Sequence, residues 1–371
     1  MRQEWLFRLG LFVLGAVLFG AFAPLGVGLH HDGVMLKPAL DVAAGQVIFR
    51  DTFNPYGAFT TFFQALAVKL FGGELLVIKY QTVLFYAMSA VMLDIVYARF
   101  LSRFFRGVML FLFLGLAPFY LLLMLPWSSV YALFFMLLTT EFVLRFEEHG
   151  RKTDLFIAGI AAAFAFGCRQ PCGLVLAIGV PMVLAALWFF ERQPGRIFWR
   201  NCGIFAVGVM TVITPFLLYL WVNRAEEDYW IQTFSFVSHF GWERGGSGDL
   251  KNILVTFLPY DSTFIIFPLV TAATGIVALA VLWKHRTADR LQSLQLLTAV
   301  ILAMASYHQY YPVPCERHMY WAAIPMFGVF AYGLQLLWRR PWPKSWRIAI
   351  LSLLLLYPAL AIGYRIDHGV K

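Results

Sequence analysis

The sequence predicts an all-α polytopic membrane protein, with about eleven transmembrane helices and juxtamembrane helices on its outer face. Two observations carry this. Of 371 residues, 61% are hydrophobic and only 13% are charged, whereas a soluble domain is roughly half apolar and about a quarter charged. The apolar residues also fall in long unbroken runs. A transmembrane barrel would show alternating segments of about ten residues, and lipid leaves the backbone only these two solutions.

Each span is set by an apolar run of about 20 residues, fewer where a helix end is recessed. The first, Trp5–Leu29, follows the basic segment Met1–Arg8 and is too long for a signal-peptide core, so it reads as a retained helix. The others fall at Leu75–Tyr97, Val108–Leu125, Ser129–Phe146, Leu155–Cys168, Gly173–Phe190, Cys202–Val222, Thr263–Trp283, Leu291–Tyr307, Met319–Trp338 and Ile348–Tyr364. Ala58–Phe71 is apolar but only 14 residues long, which suits an interfacial helix better than a crossing. With that helix on the surface, the connectors Arg99–Arg106, Arg145–Lys152, Arg192–Arg200, Lys284–Arg290 and Arg339–Arg347 share one side, and with them most of the 29 basic residues. The positive-inside rule makes that side cytoplasmic, with the N-terminus inside and the C-terminus outside, in an inner (plasma) membrane.

Residues 1–371 therefore read as a single integral membrane domain, with a first outer loop at 30–74 and a second at 223–262. No internal repeat is evident. The net charge of +9 is what basic residues at membrane boundaries produce, so no nucleic acid is implied. The four cysteines, Cys168, Cys172, Cys202 and Cys315, have neither zinc-finger spacing nor the pattern of a disulfide framework.

Polar chemistry concentrates on the outer side. His30–Gly57 carries three carboxylates, Asp32, Asp41 and Asp51, each near a glycine or proline. Asp32 follows the first span directly. A carboxylate held there can act as a general base on a hydroxyl; it can equally cap a helix. Asn54-Pro55-Tyr56-Gly57 reads as a turn leading back to the membrane. Arg169 lies in Cys-Arg-Gln-Pro-Cys-Gly after the short run Leu155–Cys168. Such a run spans about 21 Å against a hydrocarbon core of about 30 Å, so Arg169 is expected to be recessed, facing protein or a wet cavity. A cation there suits a lipid-linked phosphate; a snorkelling arginine is the plainer reading. Glu316, Arg317 and His318 stand at the outer mouth of Met319–Trp338, before Tyr320. His30, His31, Asp32, His308 and His318 leave a divalent metal open, although no ligand spacing specifies one.

The first outer loop resembles that of the GT-C glycosyltransferases, polytopic enzymes that use polyprenyl-phosphate sugars. The matching residues are Asp32-Gly33 after the first helix, Ala39–Ala44 as a short helix, Gly45, Phe49-Arg50-Asp51, Pro55-Tyr56-Gly57, and Leu70–Gln81 leading into the next span. Lys79 stands where the family more often has arginine. Arg169 and Arg317 fall where the family often carries basic residues that bind the donor phosphate. The resemblance implies a GT-C-like fold and transfer of a sugar, with inversion, from a polyprenyl phosphate to a hydroxyl of a glycan, lipid or protein acceptor at the outer face. It makes Asp32 the base, Asp51 a residue orienting donor or acceptor, and Arg169 and Arg317 the phosphate ligands. Around these, His31, Arg50, Tyr56, Glu316, His318 and Tyr320 are candidate substrate contacts. The rival reading is a lipid-linked sugar flippase or other transporter, for which internal repeats and broken mid-membrane helices would be expected.

Overall fold

The computed structural model describes residues 2–116, 124–236, 266–284, 290–310 and 316–369. These form helices, with no strand among the described residues and a single isolated bridge between Ile48 and Thr52. In chain order the helices are α1 (Arg2–Phe22), α2 (Leu29–Ala43), α3 (Ala58–Phe71), α4 (Leu75–Tyr97), α5 (Arg103–Leu116), α6 (Ser128–His149), α7 (Lys152–Cys168), α8 (Gln170–Phe190), α9 (Gly195–Val222) and α10 (Glu226–Trp230). They continue with α11 (Ile266–Lys284), α12 (Arg290–Ala305), α13 (Glu316–Ala323), α14 (Phe327–Trp338) and α15 (Lys344–Gly369).

Among the described residues, seven helices are long and apolar enough to cross a bilayer: Gln3–Phe22, Leu75–Tyr97, Ser128–His149, Gln170–Phe190, Gly195–Val222, Ile266–Lys284 and Tyr320–Trp338. The remaining expected spans are helical where they are described, as α5, α7, α12 and α15; of Val108–Leu125 only the part to Leu116 is described as helix, and residues 117–123 lie outside the described residues. Residues 237–262, most of the expected second outer loop, lie outside the described residues; the part that is described opens as α10 and one π turn, Ile231–Ser235.

One boundary differs in a way that matters. The first span was expected to run to Leu29, but α1 stops at Phe22. Pro24 lacks an N–H for the helical ladder, and Gly26 adopts a left-handed φ of 69°. The chain turns there and starts a separate helix, α2. Asp32 therefore sits in the first turn of a new helix, and Asp41 is further along the same helix. The expected short helix Ala39–Ala44 is the end of this longer one.

The apolar faces assemble into one large core built mainly on α1, α4–α8, α12 and α14. A smaller core joins Ile48, Phe49 and Ala58 to Phe216, Leu220 and Ala225, fixing the first outer loop on the end of α9. At the opposite end, Asp94 receives Arg106 Nε at 2.7 Å and Arg8 Nε at 3.0 Å, and Glu4 receives Arg106 Nη2 at 2.8 Å. These bonds tie α1, α4 and α5 together through the buried, paired charges of Asp94 and Arg106, with Arg8 and Glu4 partly exposed beside them.

Candidate active site

The site is built on two helix starts, those of α6 and α8, which Asp32 approaches from α2. Helix α7 ends at Cys168, Arg169 is extended (φ −150°, ψ 106°), and α8 begins at Gln170 with a proline in its first turn, where a missing N–H costs nothing. Helix α6 begins at Ser128, after Pro126 and Trp127. Arg169 Nη1 donates to Ser129 Oγ at 2.6 Å, so the first turns of α6 and α8 are tied to each other. Both present the free N–H groups and positive dipole end of a long helix.

Around that bond, buried polar atoms lack partners. Among the described residues the indole nitrogen of Trp127 and the hydroxyl of Ser128 are buried without a hydrogen bond, and the Gln170 amide beside them reaches the Tyr229 hydroxyl. A buried unsatisfied donor costs about 1–3 kcal/mol. Two of them beside the hydroxyl that receives a guanidinium, with two helix N-termini, form a set of donors suited to an anion.

Close packing fixes this region. A Cβ on Gly57 would stand 2.1 Å from Gly167 O and 2.6 Å from the Cys168 carbonyl, so only glycine lets the start of α3 press on the end of α7. Thr60 Oγ1 adds a bond to Cys168 O at 3.3 Å. Helix α3 is wedged against α2, α4 and α7, and Gln64 Nε2 reaches Pro126 O at 2.9 Å, just before the Trp127 turn.

Asp32 approaches from α2. Its carboxylate is 2% exposed. Oδ2 accepts the Gly28 N–H at 3.0 Å and lies 3.3 Å from Lys79 Nζ, which also donates to Gly26 O at 2.9 Å. Oδ1 is buried and has no hydrogen-bond partner among the described residues. One oxygen is thus anchored and the other is unclaimed. Lys79 is fully buried on α4, and its charge balances the carboxylate.

An aromatic wall joins the two parts. His31 packs edge-on against Trp127 with centroids 5.0 Å apart, and Tyr56 does the same at 5.0 Å. Trp127 stacks on Trp321 at 6.2 Å, and the His318 ring lies 5.8 Å from Trp321. His31 and Tyr56 are therefore gathered on Trp127, next to the Arg169-bonded start of α6, and His318 joins the wall through Trp321. Tyr320 is not: it is buried in the core, with its hydroxyl donating to Phe113 O at 3.2 Å. The side chains of Glu316 and Arg317 lie outside the described residues, although both belong to α13.

The remaining candidates, Arg50 and Asp51, form a unit of their own. Phe49 is buried with a φ of 71°, a conformation that is uncommon without glycine, and it turns the chain so that Asp51 Oδ2 accepts the Val47 N–H at 2.8 Å. Arg50 donates to both Asp51 oxygens, at 2.9 and 3.0 Å, and to Asn223 O at 3.1 Å. Arg50 and the Val47 N–H hold the Asp51 carboxyl below its ordinary range. Gln232 closes the same link, donating to Phe49 O at 2.7 Å and accepting the Asn54 N–H at 2.8 Å.

Among the described residues no group of three or more His, Cys, Asp or Glu gathers as metal ligands. His308 is committed to Ala305 O at 2.7 Å and lies 3.8 Å from the Cys172 sulfur. Burial, the opposing bond to Ala305 O and the charge of Arg169 leave the His308 imidazole with its pKa lowered to about 4.

Sequence reasoning did not single out Trp127, Ser128, Ser129 or Gln170, and it treated Lys79 only as a family variant. The legible signal was Pro126-Trp127-Ser128-Ser129, a turn opening an apolar helix with two hydroxyls at its start.

No protein-family model matches the chain, and no curated protein does. Solved structures do. The oligosaccharyltransferase of Archaeoglobus fulgidus, in complex with Zn and sulfate, aligns with a TM-score of 0.60 and 14% identity over 97% of this chain and 53% of its own. ArnT from Cupriavidus metallidurans, bound to undecaprenyl phosphate, aligns with a TM-score of 0.62 and 17% identity over 95% of this chain and 63% of its own. The chain thus spans about half the length of the first and less than two thirds of the second. At these identities the likeness is one of fold.

Proposed function

We propose that this chain, which has the fold of the GT-C glycosyltransferases, moves a sugar from a polyprenyl-phosphate donor to an acceptor hydroxyl at the outer face of the plasma membrane, with inversion. The observation that carries the reading is the Arg169–Ser129 bond, which joins two helix starts, with the unpaired buried donors of Trp127 and Ser128 beside it. This arrangement supports binding of a phosphate that gains charge as the sugar departs, where preorganised donors lower a barrier most. The acceptor oxygen forms its bond to the anomeric carbon as the bond to the phosphate oxygen breaks. Its proton passes to Asp32 Oδ1, the oxygen without a partner. Lys79 holds Asp32 in place and balances its charge in the ground state. Tyr56 supplies a flat face for the sugar, His31 and His318 polar edges, and Arg317 a second phosphate contact. Asp51 and Arg50 orient the substrate from further along the loop.

The topology belongs to the same proposal: a cytoplasmic N-terminus, a cytoplasmic α6–α7 connector, and α3 at the outer interface. In intact cells, His149→Cys should react with an impermeant thiol reagent only after the membrane is opened; labelling from outside would invert the topology. For the phosphate, Arg169→Ala should weaken binding of a synthetic prenyl phosphate by roughly ten- to a hundredfold, the value of one charge-assisted bond. Unchanged affinity in folded protein would remove Arg169 from the site and with it the reading.

A further inference from the structure

Helix α2 has two distinct faces. Asp32, Met35 and Ala39 turn into the body of the protein. His30, Gly33, Lys37 and Asp41 instead line an open groove of about 530 Å³, completed by Asp51 and Phe53. Asp32 is not among its lining, and a helix with its side chains is about 10–12 Å across. The groove is therefore a separate place from the one where the reacting hydroxyl meets Asp32.

Its charges are balanced in pairs. Lys37 Nζ donates to Asp41 at 2.5 and 2.7 Å, and Asp51 is matched by Arg50. An anion would meet two carboxylates, and a hydrocarbon tail would bury two ion pairs, each at a cost. A cation would find both carboxylates already bound. Each carboxylate nevertheless keeps free lone pairs, and the Lys37 ammonium keeps a third hydrogen. Acceptors beside a donor suit vicinal hydroxyls, which donate and accept at once. Phe53 stands half exposed, with one edge packed on Phe236 at 5.2 Å, and offers an apolar surface to the C–H face of a ring. At Gly33, no heavy atom lies within 4 Å of where a Cβ would stand, so the floor of the groove is open.

We propose that this groove is a saccharide-binding subsite, holding a neutral polyhydroxylated part of the substrate remote from the reacting hydroxyl. Its place in catalysis rests on the transfer reaction proposed above; its ligand chemistry does not. Binding energy gathered at such a distance orients the substrate at the reacting centre.

The test is saturation-transfer NMR on the full chain in lipid nanodiscs, with maltotriose, cellotriose and chitotriose as probes. At least one trisaccharide should receive saturation. Its affinity should fall about fivefold in Phe53→Ala, the scale of one aromatic contact, and at least as far in Gly33→Leu, which fills the floor. Both positions are open to solvent, so both variants should fold. Absence of saturation transfer for all three sugars, or a signal that survives both groove variants, overturns the proposal. A failed transfer assay with Asp32→Asn would instead bear on the reaction and leave this result standing.

Discussion

Arg169 and Ser129 are joined by a hydrogen bond of 2.6 Å that ties the start of α8 to the start of α6. The buried donors beside it are unpaired in the protein alone, which is costly unless a ligand completes them.

That cost gives a prediction with two signs. Ser128→Ala and Trp127→Phe each remove an unpaired donor while keeping most of the side-chain volume. Thermal unfolding of the free protein should stay level or rise by a few degrees, since about 1–3 kcal/mol of unmet hydrogen bonding is removed. Binding of a synthetic prenyl phosphate should weaken by about tenfold. A loss of stability with unchanged binding would mean that these atoms serve the fold alone.

Gly57 tests how the site is positioned. Gly57→Ala places a methyl 2.1 Å from Gly167 O, so backbone must move, at about 1–3 kcal/mol. A lower melting temperature and weaker prenyl-phosphate binding should appear together, because the displaced atoms adjoin Arg169. Gly33→Ala, with open space around it inside α2, should leave the melting temperature level or raise it slightly, since alanine is favoured over glycine in a helix by about 0.5–1 kcal/mol. Equal behaviour of the two variants would refute the packing argument.

His308 gives a pH dependence. Its folded pKa is lowered to about 4, against about 6.5 for the unfolded chain. The unfolded state therefore binds the extra proton between these values, so the contribution is complete above about pH 6.5 and is lost as pH falls toward 4. Between pH 7 and pH 5 the wild type should lose more thermal stability than His308→Gln, measured in the same detergent. Parallel losses would show that His308 does not titrate in this way.

Much of this architecture was legible in the sequence because apolar runs of span length have few alternatives in lipid. The break after Phe22 was not, since Pro24 and Gly26 sit inside a run whose hydropathy continues to Leu29. Recognising that break would have put Asp32 on α2 and pointed its carboxylate toward a partner. Lys79 could not have been paired with Asp32 in advance: they are far apart in sequence, and only the packing of α2 on α4 brings them together. Arg169 was singled out from a run too short to span, but its partner Ser129 lies on another helix. Tyr320 had the same sequence signal as His318, yet the helical rotation of α13 sends one to the core and the other to the aromatic wall.

The most direct test of the central claim is the transfer rate of Asp32→Asn, with the short-chain prenyl-phosphate sugar that the wild type accepts. The substitution keeps the shape and removes the basic oxygen. Because it also leaves Lys79 buried without its counter-charge, the rate is read on protein whose prenyl-phosphate affinity is first shown to be near normal, with Asp32→Asn/Lys79→Met as the charge-balanced control. The expected result is a fall of at least about a hundredfold in both variants, the least that a general base contributes. A rate above about a tenth of wild type would contradict the assignment, since it lies above what loss of a general base allows.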